Sequence, residues 1–256
     1  MNNCFVKVSG GIGNQLFQLA AGYTYSKQYN KELYIDDLHW NASQGTSPRA
    51  YQSSIFQNFA YWKGSADHVF NISEKRFNYD PLPYTQGSVA LHGYFQSLKY
   101  FEDYKDEFVS KLALPDIEYS IDVDNAIAFH IRRGDYLKYP DIHHVCTTEY
   151  FKALFDKFKD RYRIHVFTDS PEYISEEFKG YEFDIQKTES DLHDLSLMSK
   201  YTKIVCSNSS FSWWASFLGD PSKYIIVPER WFGLNFENHD DIYRSDFIRV
   251  RCLNNN

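Results

Sequence analysis

The chain has no CxxC pair and no His/Cys spacing that suits zinc, although cysteines stand at positions 4, 146, 206 and 252. Zinc-ribbon and thioredoxin-like readings are therefore excluded. No run of about 18 apolar residues occurs, so no membrane-spanning helix is expected. Positive charge is short as well: Lys and Arg number 27 against 34 Asp and Glu, a net charge of −7. With a pI near 5.7, no wide basic face is expected, and nucleic acid is excluded as a partner. A few local arginines can still hold a phosphate. There is no GxxxxGK[ST] phosphate loop and no GxSxG nucleophile elbow. The opening MNNCFVKVSGG carries no signal-type apolar region before its first strand, which predicts a cytoplasmic protein. On that reading the three N-x-S/T sequons, at Asn41, Asn71 and Asn208, carry no weight. Asp122-Val123-Asp124 is the one Asp-x-Asp, in a stretch that reads as a linker, so no acidic metal-binding pair is expected.

What is present is a soluble-protein balance of 43% hydrophobic and 24% charged residues in 256. That length suffices for one large domain or two small ones with a real core. Aromatics are abundant, with 21 Tyr, 21 Phe and 5 Trp. An ordinary tyrosine-rich core and a sugar-contacting cleft both account for them. Cys4 and Cys206 lie in apolar strand-like runs and are expected to be buried free thiols.

Phe5–Val8 reads as a strand, Gly10-Gly11-Ile12-Gly13 as a turn, 14–27 as a helix and Leu33–Ile35 as a second strand. Residues 37–85 read as loops and short helices broken by prolines. A strand is expected over 89–95 and a helix near 97–112. The acidic stretch 115–124 is the expected domain crossing, giving domains of 1–124 and 125–256. The second half alternates strand and helix. Strands are expected at 126–131, 164–167, 183–185, 204–206 and 224–227, and helices at 147–159, 190–200 and 210–218, with one more opening at Pro171. This alternation implies parallel sheets covered by helices. The expected fold class is α/β, with two Rossmann-like domains facing each other across a cleft.

Three clusters carry candidate chemistry. In the first, Gly11, Gly13, Asn14 and Gln15 stand where a strand hands over to a helix N-terminus, and backbone N–H groups there can receive an anion or a polar ligand. Asp36 follows at dinucleotide-like spacing, but Leu16 replaces the third glycine of that fingerprint. A tight βα turn with no ligand also explains it. The second is His130-Ile131-Arg132-Arg133-Gly134-Asp135-Tyr136, at the C-terminal end of a buried strand, where open α/β sheets bind ligands. His130 and Arg132 share a face. Asp135 is expected to pair one arginine and a diphosphate the other. The bland alternative is a structural Arg–Asp network. In the third, Ser207, Asn208, Ser209, Ser210 and Ser212 surround a helix N-terminus, as a phosphate cradle or as simple N-capping. Trp213 and Trp214 are expected to pack the helix onto its sheet. His143-His144 reads as a solvated turn.

GGIGNQLFQLAAG, LHGYFQSLKYF, HIRRGDY and SNSSFSWWASFLG occur in this order, and together they resemble the inverting α1,2-fucosyltransferases of glycosyltransferase family 11, of soluble bacterial type. The resemblance spans residues 9 to about 228. It implies the GT-B architecture, with an N-terminal domain on the acceptor side and a C-terminal domain for GDP-fucose. It also implies Arg132 as the main phosphate ligand, Arg133 as a second, and His130 as a nucleoside contact. Asp194 would bind guanine, and Ser209, Ser210 and Phe211 would line the β-phosphate. Gly11, Gly13, Asn14 and Gln15 would serve donor or acceptor. Arg132 and Asp135 are the expected catalytic groups, Asp135 either as general base or as the group that orients Arg132. No metal or other cofactor is expected. The expected partners are GDP-fucose and a galactose-terminated glycan, with peripheral membrane association if that acceptor is lipid-linked. The product would be an α1,2 linkage formed with inversion. Transfer in another linkage, transfer to a protein hydroxyl, a nucleotide-sugar or glycan-binding protein without turnover, and an NAD oxidoreductase stand as competing readings. Acceptor selectivity is expected in 37–84, because loops carry specificity.

Overall fold

The computed structural model describes residues 2–37, 45–64, 69–119, 121–233 and 240–252. Asn41 and parts of the stretch assigned to acceptor selectivity lie outside them. The chain divides into two compact units, one of residues 1–115 with 240–243, the other of 116–239 with 244–256.

The first unit begins with β1 (Asn3–Lys7), α1 (Ile12–Gln28) and β2 (Glu32–Asp36). Further along come β3 (Ala60–Tyr61), β4 (Phe70–Ser73), β5 (Val89–His92) and α2 (Lys105–Lys111). Its described strands form one parallel sheet in the order β3-β2-β1-β5-β4. Two expectations are corrected here. Residues 37–85 are not only loops and short helices, since β3 and β4 come from them. Nor is 97–112 one helix. Phe101, at φ −142°, breaks it into two 3₁₀ turns, 98–100 and 102–104, ahead of α2. Asp241 ties the 240–243 segment into this unit, accepting from the Tyr79 N–H at 2.8 Å and pairing with Lys99.

The second unit runs β6 (Ala126–Ile131), α3 (Thr148–Phe158), β7 (Arg163–Thr168) and α4 (Pro171–Glu177). Then follow β8 (Asp184–Ile185), α5 (Asp191–Met198), β9 (Lys203–Val205), α6 (Ser210–Phe217), β10 (Tyr224–Pro228) and β11 (Phe247–Val250). These strands form a second parallel sheet, β11-β10-β9-β6-β7-β8. β11 lies beyond the strand at 224–227 that reads as the last clear one. Strand β6 is central and buried at every position, which is why its sequence is apolar on both faces. Phe151, Phe155, Phe158, Phe129 and Phe178 share its core cluster, each buried aromatic worth about 1.5–3 kcal/mol over exposure. Trp213 and Trp214 are fully buried, and all four cysteines are buried and free. No described helix is long and apolar enough to cross a membrane.

Helix α1 sits on β1 through Gly22, where an added Cβ would fall 2.0 Å from Val6 Cγ2. Gly22→Ala should therefore lower stability by about 1–3 kcal/mol through overpacking, read as a lower urea midpoint with an unchanged m-value. A midpoint equal to that of the parent would show that the crossing has slack.

Candidate functional site

The β6–β7 pairing decides what surrounds the arginines. Ile131 is in register with Thr168, so the next residues, Arg132 and Asp169, leave the sheet side by side. Thr168 Oγ1 donates to the Ile131 carbonyl at 2.8 Å and fastens the strand ends. Asp169 Oδ2 lies 3.0 Å from Arg132 Nε, and its Oδ1 accepts from the Arg133 backbone N–H at 3.0 Å. Asp135 Oδ1 accepts from Arg132 Nη2 at 2.6 Å and from Nε at 3.2 Å. One guanidinium is thus held by two carboxylates. Burial alone would pull its pKa down, but Asp169 and then Asp135 outweigh it and hold the pKa above its usual value. Five N–H donors sit on a guanidinium, and these contacts engage Nε and Nη2, leaving the Nη1 pair. Gly134 is required here because an added Cβ would meet Asp169 Oδ2 at 2.4 Å.

His130 points from the same face of β6 and is buried. Its Nδ1 is 2.8 Å from Ser207 Oγ, and its ring stacks on Phe211 with centroids 5.2 Å apart. Burial, reinforced by the Arg132 charge, pushes its pKa down to about 3. The imidazole is therefore neutral at working pH, a hydrogen-bonding surface rather than a cation.

The serine-rich turn meets this group through the backbone as well. Ser207 N–H donates to the His130 carbonyl at 3.1 Å, and Tyr136 Oη donates to the Asn208 carbonyl at 3.1 Å. Most of its side chains have structural work. Ser207 holds His130, and Ser209 caps α6 by accepting from Phe211 N–H at 3.3 Å. Ser212 donates back to the carbonyls of Ser207 and Ser209. Asn208 Nδ2 donates to the Trp231 carbonyl at 2.7 Å. Ser210, half-buried at the first position of α6, is the serine of this turn whose hydroxyl is uncommitted among the described residues.

Arg133 turns onto α4, its guanidinium carbon 3.8 Å from the Tyr173 ring centroid, a cation–π contact. Asp194, in the first turn of α5, accepts from Thr188 Oγ1 at 3.0 Å, and burial raises its pKa. Thr188 and His193 line a hollow of about 460 Å³ together with Tyr119 and Gln186. His143 is not in a solvated turn: its ring lies flat on Tyr136 at 4.1 Å, and Tyr136 in turn faces the Arg132 guanidinium at 5.7 Å.

In the first unit, Gly11 opens α1 with no side-chain cap, and nothing lies within 4 Å of where its Cβ would stand. The Asn14 and Gln15 N–H groups return to the Gly11 carbonyl at 3.0 and 3.1 Å, while Gly13 is buried in the helix. Gln15 is fully buried and gives its amide N–H groups to the carbonyls of Gly10 and Thr46, both at 2.9 Å. Asn14 Oδ1 accepts from Gln96 Nε2 at 2.8 Å.

Asp169 is the functional residue that motif reading misses. The signal was available: both strand ends were legible, and aligning two parallel neighbours at their C-terminal ends sets Asp169 beside Arg132.

The depressed His130 pKa makes a stability prediction. Between pH 3 and 6.5 the unfolded chain binds a proton at this residue that the folded chain refuses. Stability should fall as pH drops through that window, and less steeply in His130→Gln. Equal slopes in urea titrations at pH 4 to 7 would contradict a buried neutral imidazole.

The profile of glycosyl transferase family 11 matches residues 5–251. An α-1,2-colitosyltransferase of Escherichia coli is 27% identical, over 98% of this chain and 99% of that protein. The O-antigen biosynthesis glycosyltransferase WbnK of Escherichia coli is 23% identical, over 89% and 94%. Among solved structures, the fucosyltransferase NodZ from Bradyrhizobium superposes with a TM-score of 0.53 at 12% identity, covering 85% of this chain and 93% of that one. NodZ, an α-1,6-fucosyltransferase, has also been crystallised with GDP and soaked with GDP-fucose. The likeness to NodZ shows the fold, which is GT-B, with two Rossmann-like domains. Two parallel α/β units, with HIRRGDY and SNSS joined at the strand ends of the second, belong to a glycosyltransferase, and this chain is a member of glycosyl transferase family 11.

Proposed function

We propose that this protein transfers L-fucose from GDP-β-L-fucose to the 2-hydroxyl of a terminal galactoside, with inversion and without a metal ion. The observation that carries the reading is Arg132, held by two carboxylates at the end of β6 with its Nη1 pair uncommitted. It stands beside a neutral His130 and the N-terminus of α6. Family membership and the α-1,2 linkage in the name of the colitosyltransferase relative support the linkage. The GDP-bound NodZ structures support the donor's nucleotide.

The chemistry follows from charge. Fucose departs with oxocarbenium character while GDP gains negative charge. Arg132 meets that charge with preorganised donors, and Ser210 with the first N–H groups of α6 adds to it. Electrostatic stabilisation of this kind takes the part that a divalent cation plays in metal-dependent transferases. Asp169 serves as the anchor, because it also grips the Arg133 backbone. Asp135 is more exposed and uses one oxygen for Arg132, so its other oxygen is available to take the acceptor proton. His130 and Phe211 offer a flat, uncharged contact to the nucleoside, and Asp194 a carboxylate to guanine N–H groups. The C-terminal unit is thereby the donor side and the N-terminal unit the acceptor side, acting on the cytoplasmic face of glycan assembly.

A second donor follows from the colitosyltransferase relative. Colitose is fucose without its 3-hydroxyl, and a site built to bond a hydroxyl rejects the analogue lacking it by roughly 10⁴ or more. Mixing the protein with lactose, EDTA and either GDP-fucose or GDP-colitose decides between them. The expected result is a 2-linked fucosyl product by mass and linkage analysis. Faster transfer from GDP-colitose would reassign the donor, and the absence of both GDP release and GDP binding would overturn the proposal.

Arg132→Ala should reduce transfer by about 10²–10³, the cost of one such donor, with its melting temperature preserved. Full activity would remove the phosphate role. Gly134→Ala should lower activity by displacing Asp169 from Arg132 while leaving the fold intact, and an active variant would show that Asp169 is not needed there. If Asp135 is the base, Asp135→Asn should lose the acid limb of the pH–rate profile. An unchanged limb restricts Asp135 to orienting Arg132.

A further inference from the structure

In the first unit a buried carboxylate organises the turn that follows β5. Glu74, next after β4, directs Oε2 to the Tyr94 N–H at 2.7 Å and Oε1 to the Phe95 N–H at 3.0 Å. Its own N–H continues the β4–β5 ladder to the His92 carbonyl at 2.7 Å. Gly93 lacks a side chain for a visible reason: an added Cβ would lie 2.3 Å from Glu74 Cβ. The carboxyl is mostly buried, which pushes its pKa up against the pull of the two N–H bonds.

The clamped turn is strained. Phe95 holds φ +50°, a left-handed conformation that bulky residues avoid, and its ring is fully buried edge-on to Tyr100 at 5.2 Å. Such strain persists only where the surroundings over-determine it, and it gathers at working sites. Here its consequence is the placement of the next residue. Gln96 is buried and gives Nε2 to Asn14 Oδ1 at 2.8 Å. Asn14 Nδ2 then lies over Gly10, within 2.4 Å of where a Cβ would be. No described residue accepts a hydrogen bond from that nitrogen.

We propose that Gln96, set by the Glu74-clamped turn, is a positioning residue that fixes the Asn14 amide so that its nitrogen, and not its oxygen, is offered to a sugar oxygen. The inference rests on the fucosyl-transfer reading for the sugar. The geometry of the relay is independent of it. Glu74 sets the turn, the turn sets Gln96, and Gln96 as donor leaves Asn14 only its own donor to present. A carboxylate at position 96 can only accept, so Gln96→Glu would turn the Asn14 amide over and present its oxygen.

The test is a double-mutant cycle with Asn14→Ala and Gln96→Leu, read by kcat/KM in the transfer assay. If Gln96 acts through Asn14, Gln96→Leu costs about tenfold, and the double variant matches Asn14→Ala within about twofold. Additive losses would overturn the relay while leaving Asn14 and the transfer reading in place. Wild-type activity in Asn14→Ala would remove Asn14 from sugar binding and overturn the inference. Nitrogen-15 spectra of the free protein examine the relay without turnover. The Asn14 side-chain amide should shift in Gln96→Leu and in Glu74→Gln, and further in Gln96→Glu. An unmoved resonance overturns the proposal whether or not any sugar is transferred.

Discussion

Parallel pairing of β6 with β7 is the constraint on which the second unit's chemistry depends. A lone arginine at the end of a buried strand would be costly, since a desolvated charge without a partner is expelled or neutralised. The register that matches Ile131 with Thr168 supplies the partner one residue later, as Asp169. The carboxylate serves twice, because its second oxygen holds the Arg133 backbone. Arg132 is therefore charged, aimed and partly shielded before any ligand arrives. That condition lets electrostatics act without reorganisation during reaction.

The same economy governs the surroundings. His130 is kept neutral by burial and by the arginine two residues on, so the site gains one cation and not two. Ser207 and Asn208, part of a turn that reads either as a phosphate cradle or as N-capping, are spent on His130, Trp231 and Tyr136. They make the site rigid. The Ser210 hydroxyl at the opening of α6 has no such commitment. In the first unit a buried glutamate and a strained phenylalanine do comparable work for a polar amide, again at the C-terminal ends of parallel strands.

How much of this was legible from sequence depends on how each element is stabilised. The central strands β1, β6, β7, β9 and β10 were readable because both their faces are buried. β3, β4 and β11 were not. They are edge strands of two to four residues with exposed and polar positions, as FNIS and FIRV show. The expected helix at 97–112 failed at Phe101, whose backbone break no propensity marks. His130, Arg132 and Asp135 were legible because motif and strand end coincide. Asp169 is reached only by aligning the legible ends of β6 and β7, and Glu74 not at all, since it acts on a turn about twenty residues away. Arg133, a second phosphate ligand by family resemblance, has its guanidinium on the Tyr173 ring, a contact that its place in the motif does not foretell.

The central claim is that the doubly held Arg132 receives the β-phosphate of a guanosine diphosphate. Phosphorus-31 spectra of GDP bound to the wild-type protein and to Arg132→Lys test it directly. The account predicts a β-phosphorus shift on binding to wild type that collapses in the lysine variant, which lacks the planar fork, while the α-phosphorus changes little. Equal β-phosphorus shifts in the two proteins would contradict it.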